Sequence, residues 1–179
     1  SSAETLSLQF WVKATKTGVN TINIYQDDAT KMISASYTIS ASNTWEKKTV
    51  TFPGDTSGAF TNDNGESLRL NFWLGGGATW TSGTLGTTWH TTSANRAVGQ
   101  VNLADSTSNE WYITGVQLEA GTTASDFEFL PFDVNLQRCQ RYYLPISADN
   151  QYIANCFYYT GANLKVHIEA PTEFRATPS

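Results

Sequence analysis

Apolar residues recur at every second position over short runs of this chain. In TLSLQFWVKAT, Leu6, Leu8, Phe10 and Val12 share one phase, and Ser7, Gln9, Trp11 and Lys13 share the other. That alternation is the mark of a strand with one face buried. TGVNTINIYQDD places Ile22 and Ile24 inward, and KMISASYTIS alternates Ile33, Ala35, Tyr37 and Ile39. The turn at Asp27, Asp28 and Ala29 predicts that these two strands form a hairpin. TWEKKTVTFP predicts a fourth strand with Val50 and Phe52 opposite in phase to Trp45, Lys47, Thr49 and Thr51, stopped by Pro53 and Gly54. Its lysines suit a sheet edge, where they discourage unwanted pairing.

After the polar run GDTSGAFTNDNGES, ESLRLNFWLG sets Leu68, Leu70, Phe72 and Leu74 inward and Arg69, Asn71 and Trp73 outward. Residues 75–97 are then mostly small and polar, with Trp80, Trp89 and His90 but no sustained period. Loops of that length inside a compact domain are uncommon and are often functional. VGQVNLAD and NEWYITGVQLEAG predict closing strands, with Gly115 as a bulge that re-phases Ile113 relative to Val116 and Leu118. Beyond residue 121, DVNLQRCQRYY spaces Phe132, Leu136, Cys139 and Tyr143 as one face of a short helix with Asp133 as its cap. QYIANCFYYTG and ANLKVHIEAP predict two more strands. The expected fold is all-β: a jelly-roll type β-sandwich over residues 1–121, then a short helix and a partial β-module over 122–179.

Composition narrows the function. Charged residues make up 15% of the 179 residues and aromatics 13%, and the formal net charge is -5. Nucleic-acid binding needs clustered Lys and Arg to release counterions, and the chain has no such cluster. No run approaches the roughly 20 apolar residues that span a bilayer, so membrane insertion is not expected. The two cysteines, Cys139 and Cys156, form no CxxC pair or repeated framework and point neither to zinc nor to a disulfide-built fold. Cys139 reads as a small core residue on the apolar helix stripe. The chain opens without Met and ends at FRATPS, which suggests a processed product or a segment of something longer.

Several phrases together carry a resemblance: TWEKKTVTFPGDTSG followed by NDNGESLRLNFWL, then YITGVQLEAG with FEFLPFDVNLQRCQRYY, and finally FRATPS. They resemble tail-fibre and tail-associated proteins of tailed phages. In that family a sandwich similar to carbohydrate-binding modules is followed by a CQRYY segment that opens a small β-rich region. The resemblance spans nearly the whole chain, and its phrases are structural rather than reactive. Where the family commonly has a His-Arg-Pro-like step, this chain has Phe129, Leu130 and Pro131, so no basic role is carried over there. The resemblance implies a virion location, other virion proteins as partners and host-surface glycan as ligand, and the aromatic, low-charge composition suits a homotrimer or a larger assembly.

The loop residues Trp80, Trp89, His90, Asn95 and Arg96 are the candidate glycan site. Sugar rings present apolar faces that stack on indoles, while amides and charged groups bind their hydroxyls. The plainer reading is that both tryptophans fold back over an open sandwich end or meet a neighbouring subunit. Trp11 and Trp73 face away from the aliphatic stripe and could together form an aromatic platform, an oligomer contact, or a surface buried under the C-terminal segment. Neither His90 nor His167 sits in a Ser-His-Asp order or an HExxH spacing, so no catalytic residue and no metal ligand is assigned. No cofactor is expected. Asp27, Asp28, Asp63, Asn64 and Glu119 could offer oxygens to a structural calcium, but their spacing matches no calcium loop. A glycan-degrading enzyme would need two paired acids, with Asp105, Glu110, Asp126 and Glu128 as candidates. The alternative to attachment is a capsid or tail decoration protein whose aromatic faces are protein interfaces.

Overall fold

A computed structural model of the chain describes residues 3–61, 63, 65–143, 156–160, 163–166 and 171–174. It divides into two compact units, Ser1–Phe127 and Glu128–Ser179.

The first unit is a β-sandwich. Its strands are β1 (Leu6–Ala14), β2 (Gly18–Gln26), β3 (Lys31–Ile39), β4 (Glu46–Phe52), β5 (Leu68–Trp73) and β6 (Trp111–Ala120). They form two three-stranded sheets, ordered β4-β1-β6 and β3-β2-β5, and every pairing is antiparallel. Only β2 to β3 is a hairpin within one sheet. The other connections cross between sheets, the habit of a jelly roll. The predicted hairpin is present, and β4 lies at an edge, pairing with β1 alone.

The alternating phases meet between the sheets. Leu8, Phe10 and Val12 from β1, Ile22 and Ile24 from β2, Ile33, Tyr37 and Ile39 from β3, and Phe52 from β4 form the buried core. Phe10 lies at its centre, edge-on to Tyr37 (centroids 5.0 Å apart) and to Phe72 (5.2 Å). Such edge-to-face pairs set the positive ring edge against the negative ring face, adding about 0.5–1.5 kcal/mol each beyond burial.

The β1–β6 register slips between Gln9 and Trp11, opposite Gly115, whose φ is 58°. The glycine supplies the left-handed backbone that such a bulge needs. Ile113 and Leu118 pack against the core on either side of it. Val116, expected to follow Leu118 inward, is instead 40% exposed, because a bulge leaves its extra residue outside the ladder.

Three further expectations are corrected. The predicted strand over VGQVNLAD is a 3-10 turn, Leu103–Asp105, capped by the Asn102 side chain, which accepts from the Ala104 N–H. This run touches the sheet through single bonds, Val101 N–H to the Val19 carbonyl and Leu103 N–H to the Leu74 carbonyl. Leu68, expected inside, is 37% exposed at the sandwich end. The first unit also runs past residue 121, because Ser125 returns to β6 and donates through its backbone and hydroxyl to the Glu119 carboxylate.

The second unit contains the helix α2 (Phe132–Gln140) and an antiparallel pair, β7 (Cys156–Thr160) and β8 (Asn163–Val166). Pro131, not Asp133, occupies the N-cap, and Asp133 sits in the first turn, where its charge favours the positive end of the helix dipole. The expected apolar stripe is open: Phe132 is 79% exposed and Tyr143 74%. Cys139 is an exposed free thiol rather than a core residue. Among the described residues, no helix is long and apolar enough to cross a membrane.

Candidate functional site

The loop residues singled out from sequence do not form one cluster. Residues 75–101 leave β5, form the short α1 (Ala78–Thr81), add to the free edge of β3 and return across the outer face of the β3-β2-β5 sheet. On that edge, Met32 and His90 exchange both backbone bonds, and Ser34 N–H donates to the Gly86 carbonyl at 2.8 Å.

Arg96 pins the return. Its guanidinium lies 4.8 Å from the Tyr25 ring centroid, 5.0 Å from Trp80 and 5.5 Å from Trp73, and the residue is only 9% exposed. Among the described residues it has no ion pair, and burial holds its pKa below the ordinary arginine value. The rings replace water around this cation through their negative faces. Trp73 also donates through Nε1 to Asn23 Oδ1 at 2.9 Å.

The remaining loop candidates brace the chain. Asn95 Oδ1 accepts from Thr84 N–H at 3.1 Å. His90 Nδ1 accepts from Thr92 N–H, and burial, with the nearby Arg96 charge, lowers its pKa. Trp89 turns the other way, packing on the core cluster and donating through Nε1 to the Pro53 carbonyl at 2.6 Å. His167 and Asn64 lie outside the described residues.

Trp11 and Trp73 belong to different sheets, so they cannot form a shared platform. Trp73 is under the loop. Trp11 is 40% exposed on the outer face of β4-β1-β6 and has neighbours that sequence reading missed. The register sets Lys13 beside Tyr112, and Lys13 Nζ lies 4.6 Å from the Tyr112 ring and 5.6 Å from the Trp45 ring. Trp45 and Tyr112 are each 43% exposed. Trp45 and Tyr112 thus flank one ammonium on an open surface, and Trp11 shares the phase of Lys13 two residues back along β1. Lys47, opposite Trp11 in the register, meets Asp126 at 3.2 Å.

The other half of this face is closed. Ser7 donates to the Gly121 carbonyl at 2.6 Å, Gln117 Nε2 reaches Ser125 Oγ at 2.9 Å, and Ser7 and Gln9 are buried. Gly115 sits between the halves. A Cβ built there would lie 3.3 Å from Trp11 Cδ1 and 3.8 Å from the Phe127 ring.

The acid candidates have separate partners. Asp105 meets Lys16 and Asn109, Asp126 meets Lys47, Glu128 faces Arg138, and Glu110 acts on Tyr112, raising the pKa of that phenol. The calcium candidates are likewise engaged: Asp28 with Thr61, Asp63 with the Gly65 N–H, Asp27 with Arg69, and Glu119 with Ser125. Among the described residues, no group of three or more potential metal ligands converges.

By fold and surface, the first unit is a β-sandwich with one outer face sealed by its own loop and the other half open and aromatic. No family model matches the sequence, and no curated protein and no solved structure shows significant similarity to it.

Proposed function

We propose that this chain is a non-enzymatic module of a phage virion, in a tail fibre or tail-associated protein, which binds host-surface glycan on the open half of the β4-β1-β6 face. The observation that supports this reading is the exposed aromatic group Trp11, Trp45 and Tyr112, with the Lys13 ammonium set against Trp45 and Tyr112. Rings of this kind stack on the C–H faces of sugars, and a lysine among them donates to hydroxyl or carboxylate oxygens. Contacts of this size are weak singly, and several copies on one particle would multiply them by raising the effective concentration of the unbound sites.

A glycan array probed with the purified chain tests this. Trp11→Ala and Tyr112→Ala, both at solvent-facing positions, are each expected to weaken binding about fivefold, the equivalent of roughly 1 kcal/mol per stacked ring. An array without hits, together with protection of these rings in an assembled particle, would replace attachment with a structural role. Release of reducing ends from a bound glycan would instead identify an enzyme.

A second reading, assembly with other virion chains, is favoured by the second unit, where Phe129, Phe132, Tyr142 and Tyr143 are all at least 70% exposed. Aromatic surface of that extent is characteristic of interfaces. A mass measurement in solution distinguishes a trimer or larger assembly from a monomer.

A further inference from the structure

The two sheets of the first unit part at one end. Between the start of β1 and the end of β6 on one side, and the end of β2 and the start of β5 on the other, lies a cavity of about 260 Å³. Leu6, Leu68, Phe60 and Trp89 form its apolar wall, and the fixed bond from Trp89 Nε1 to the Pro53 carbonyl holds that ring in place. Gln26 also lines the cavity. It is 2% exposed, and its Oε1 has no hydrogen-bond partner among the described residues. A buried acceptor left unpaired destabilises a fold, so a turn of this amide toward a ligand in the cavity would be favoured.

Gly58 packs directly against the amide. Its φ is not in the left-handed region, so backbone freedom does not require a glycine there. Space does: a Cβ would lie 2.7 Å from Gln26 Oε1 and 2.8 Å from Asp55 Oδ2. Asp55 and Glu4 complete the lining. Burial pushes the Asp55 carboxyl up, but bonds from the Ser57 N–H and hydroxyl and from Lys31 outweigh it and lower its pKa. The polar side chains that line the cavity are two carboxylates and the Gln26 amide, which carries both an acceptor and a donor, and the nearby cation Lys31 is already engaged with Asp55 and Ser57.

An apolar wall with an aromatic ring calls for a ligand with a C–H face, and carboxylates beside an amide call for hydroxyls, which both donate and accept. Those two demands together describe a sugar, and the carboxylates disfavour an acidic one. The volume lies below the roughly 300–1,000 Å³ of pockets that enclose drug-sized ligands, which fits one ring rather than a chain. We infer that the open end of the sandwich is a second binding site, for a single neutral pyranose, lined by Trp89 and Gln26. The inference extends the glycan-binding reading to a separate site.

The test is a titration of the full chain with D-glucose, D-galactose, N-acetyl-D-glucosamine and D-glucuronate, followed by NMR of indole N–H and side-chain amide signals. At least one neutral sugar is expected to shift the Trp89 indole and Gln26 amide signals while leaving the Trp11 indole unmoved, with D-glucuronate weaker. Leu68→Trp, at the exposed rim, is expected to fill the mouth and weaken binding about tenfold or more, as is Gly58→Ala. Leu68→Trp serves as the readout if Gly58→Ala fails to fold. Trp11→Ala and Tyr112→Ala should leave these shifts intact, so failure of the open aromatic face and failure of the cavity are separable. An unmoved Trp89 signal with every neutral sugar, or shifts that persist in folded Leu68→Trp, overturns the inference. Equal or stronger binding of D-glucuronate overturns the neutral assignment.

Discussion

Replacing Arg96 with alanine removes the cation that holds the long loop on its sheet. The guanidinium faces three rings within 5.5 Å, and such contacts contribute about 0.5–1 kcal/mol each when exposed and about 2 when desolvated. The cost of burying an unpaired guanidinium opposes them, so the lower values are appropriate and the three sum to roughly 1.5–3 kcal/mol. Loss of the packed aliphatic stem adds to this. We therefore expect Arg96→Ala to cost about 2–4 kcal/mol in urea unfolding followed by tryptophan fluorescence. The emission should already be red-shifted before unfolding as Trp80 becomes wetter. Hydrogen exchange should localise the effect, with faster exchange at Met32 and Ser34, whose N–H groups donate to the loop, and little change along β1–β6. Arg96→Met keeps the stem without the charge and should lose about 1.5–3 kcal/mol. A methionine variant as stable as the native chain would refute the reasoning, because it would show that packing rather than the cation holds the loop.

Two further predictions concern the core and the open face. Tyr37 is pushed up to about 12 by burial, so the folded chain holds that proton more tightly than the unfolded chain does. Its contribution is complete below about pH 10 and is lost as pH rises toward 12; Tyr37→Phe should flatten the fall in stability measured across that window. Gly115→Ala should destabilise the chain by about 1–2 kcal/mol, since an L-residue at φ 58° is strained. The new methyl would also press on Trp11, so glycan retention on the array should weaken as well, whereas an unchanged melting temperature would refute the strain argument.

The strands legible in the sequence were those with one dry and one wet face. Leu8, Phe10 and Val12, or Ile22 and Ile24, announce themselves by phase alone, and Gly115 by the break in phase. Alternation says which side of a strand is buried but not which strand lies beside it. For that reason Trp11 and Trp73 read as one platform although they lie in different sheets, and Trp45 and Tyr112 were missed although they flank Lys13. Trp11 and Lys13 do share a phase, and that was the available signal. VGQVNLAD has apolar residues at plausible spacing, but Asn102 caps a 3-10 turn there, a local side-chain bond that outcompetes the ladder. In the loop, Arg96 looked like a ligand donor because nothing local reveals that three distant rings enclose it.

The sheet order also has a consequence for synthesis. Leu6 pairs with Phe52 on one side and with Ala120 on the other, so β1 gains its second neighbour only after every other strand of this unit has been made. Pairings so distant in sequence are slow to form. A ribosome making this chain must deliver residue 120 before the β1 ladder can close, and until then Leu8, Phe10 and Val12 sit on a half-finished sheet that is prone to capture by chaperones or by another nascent copy.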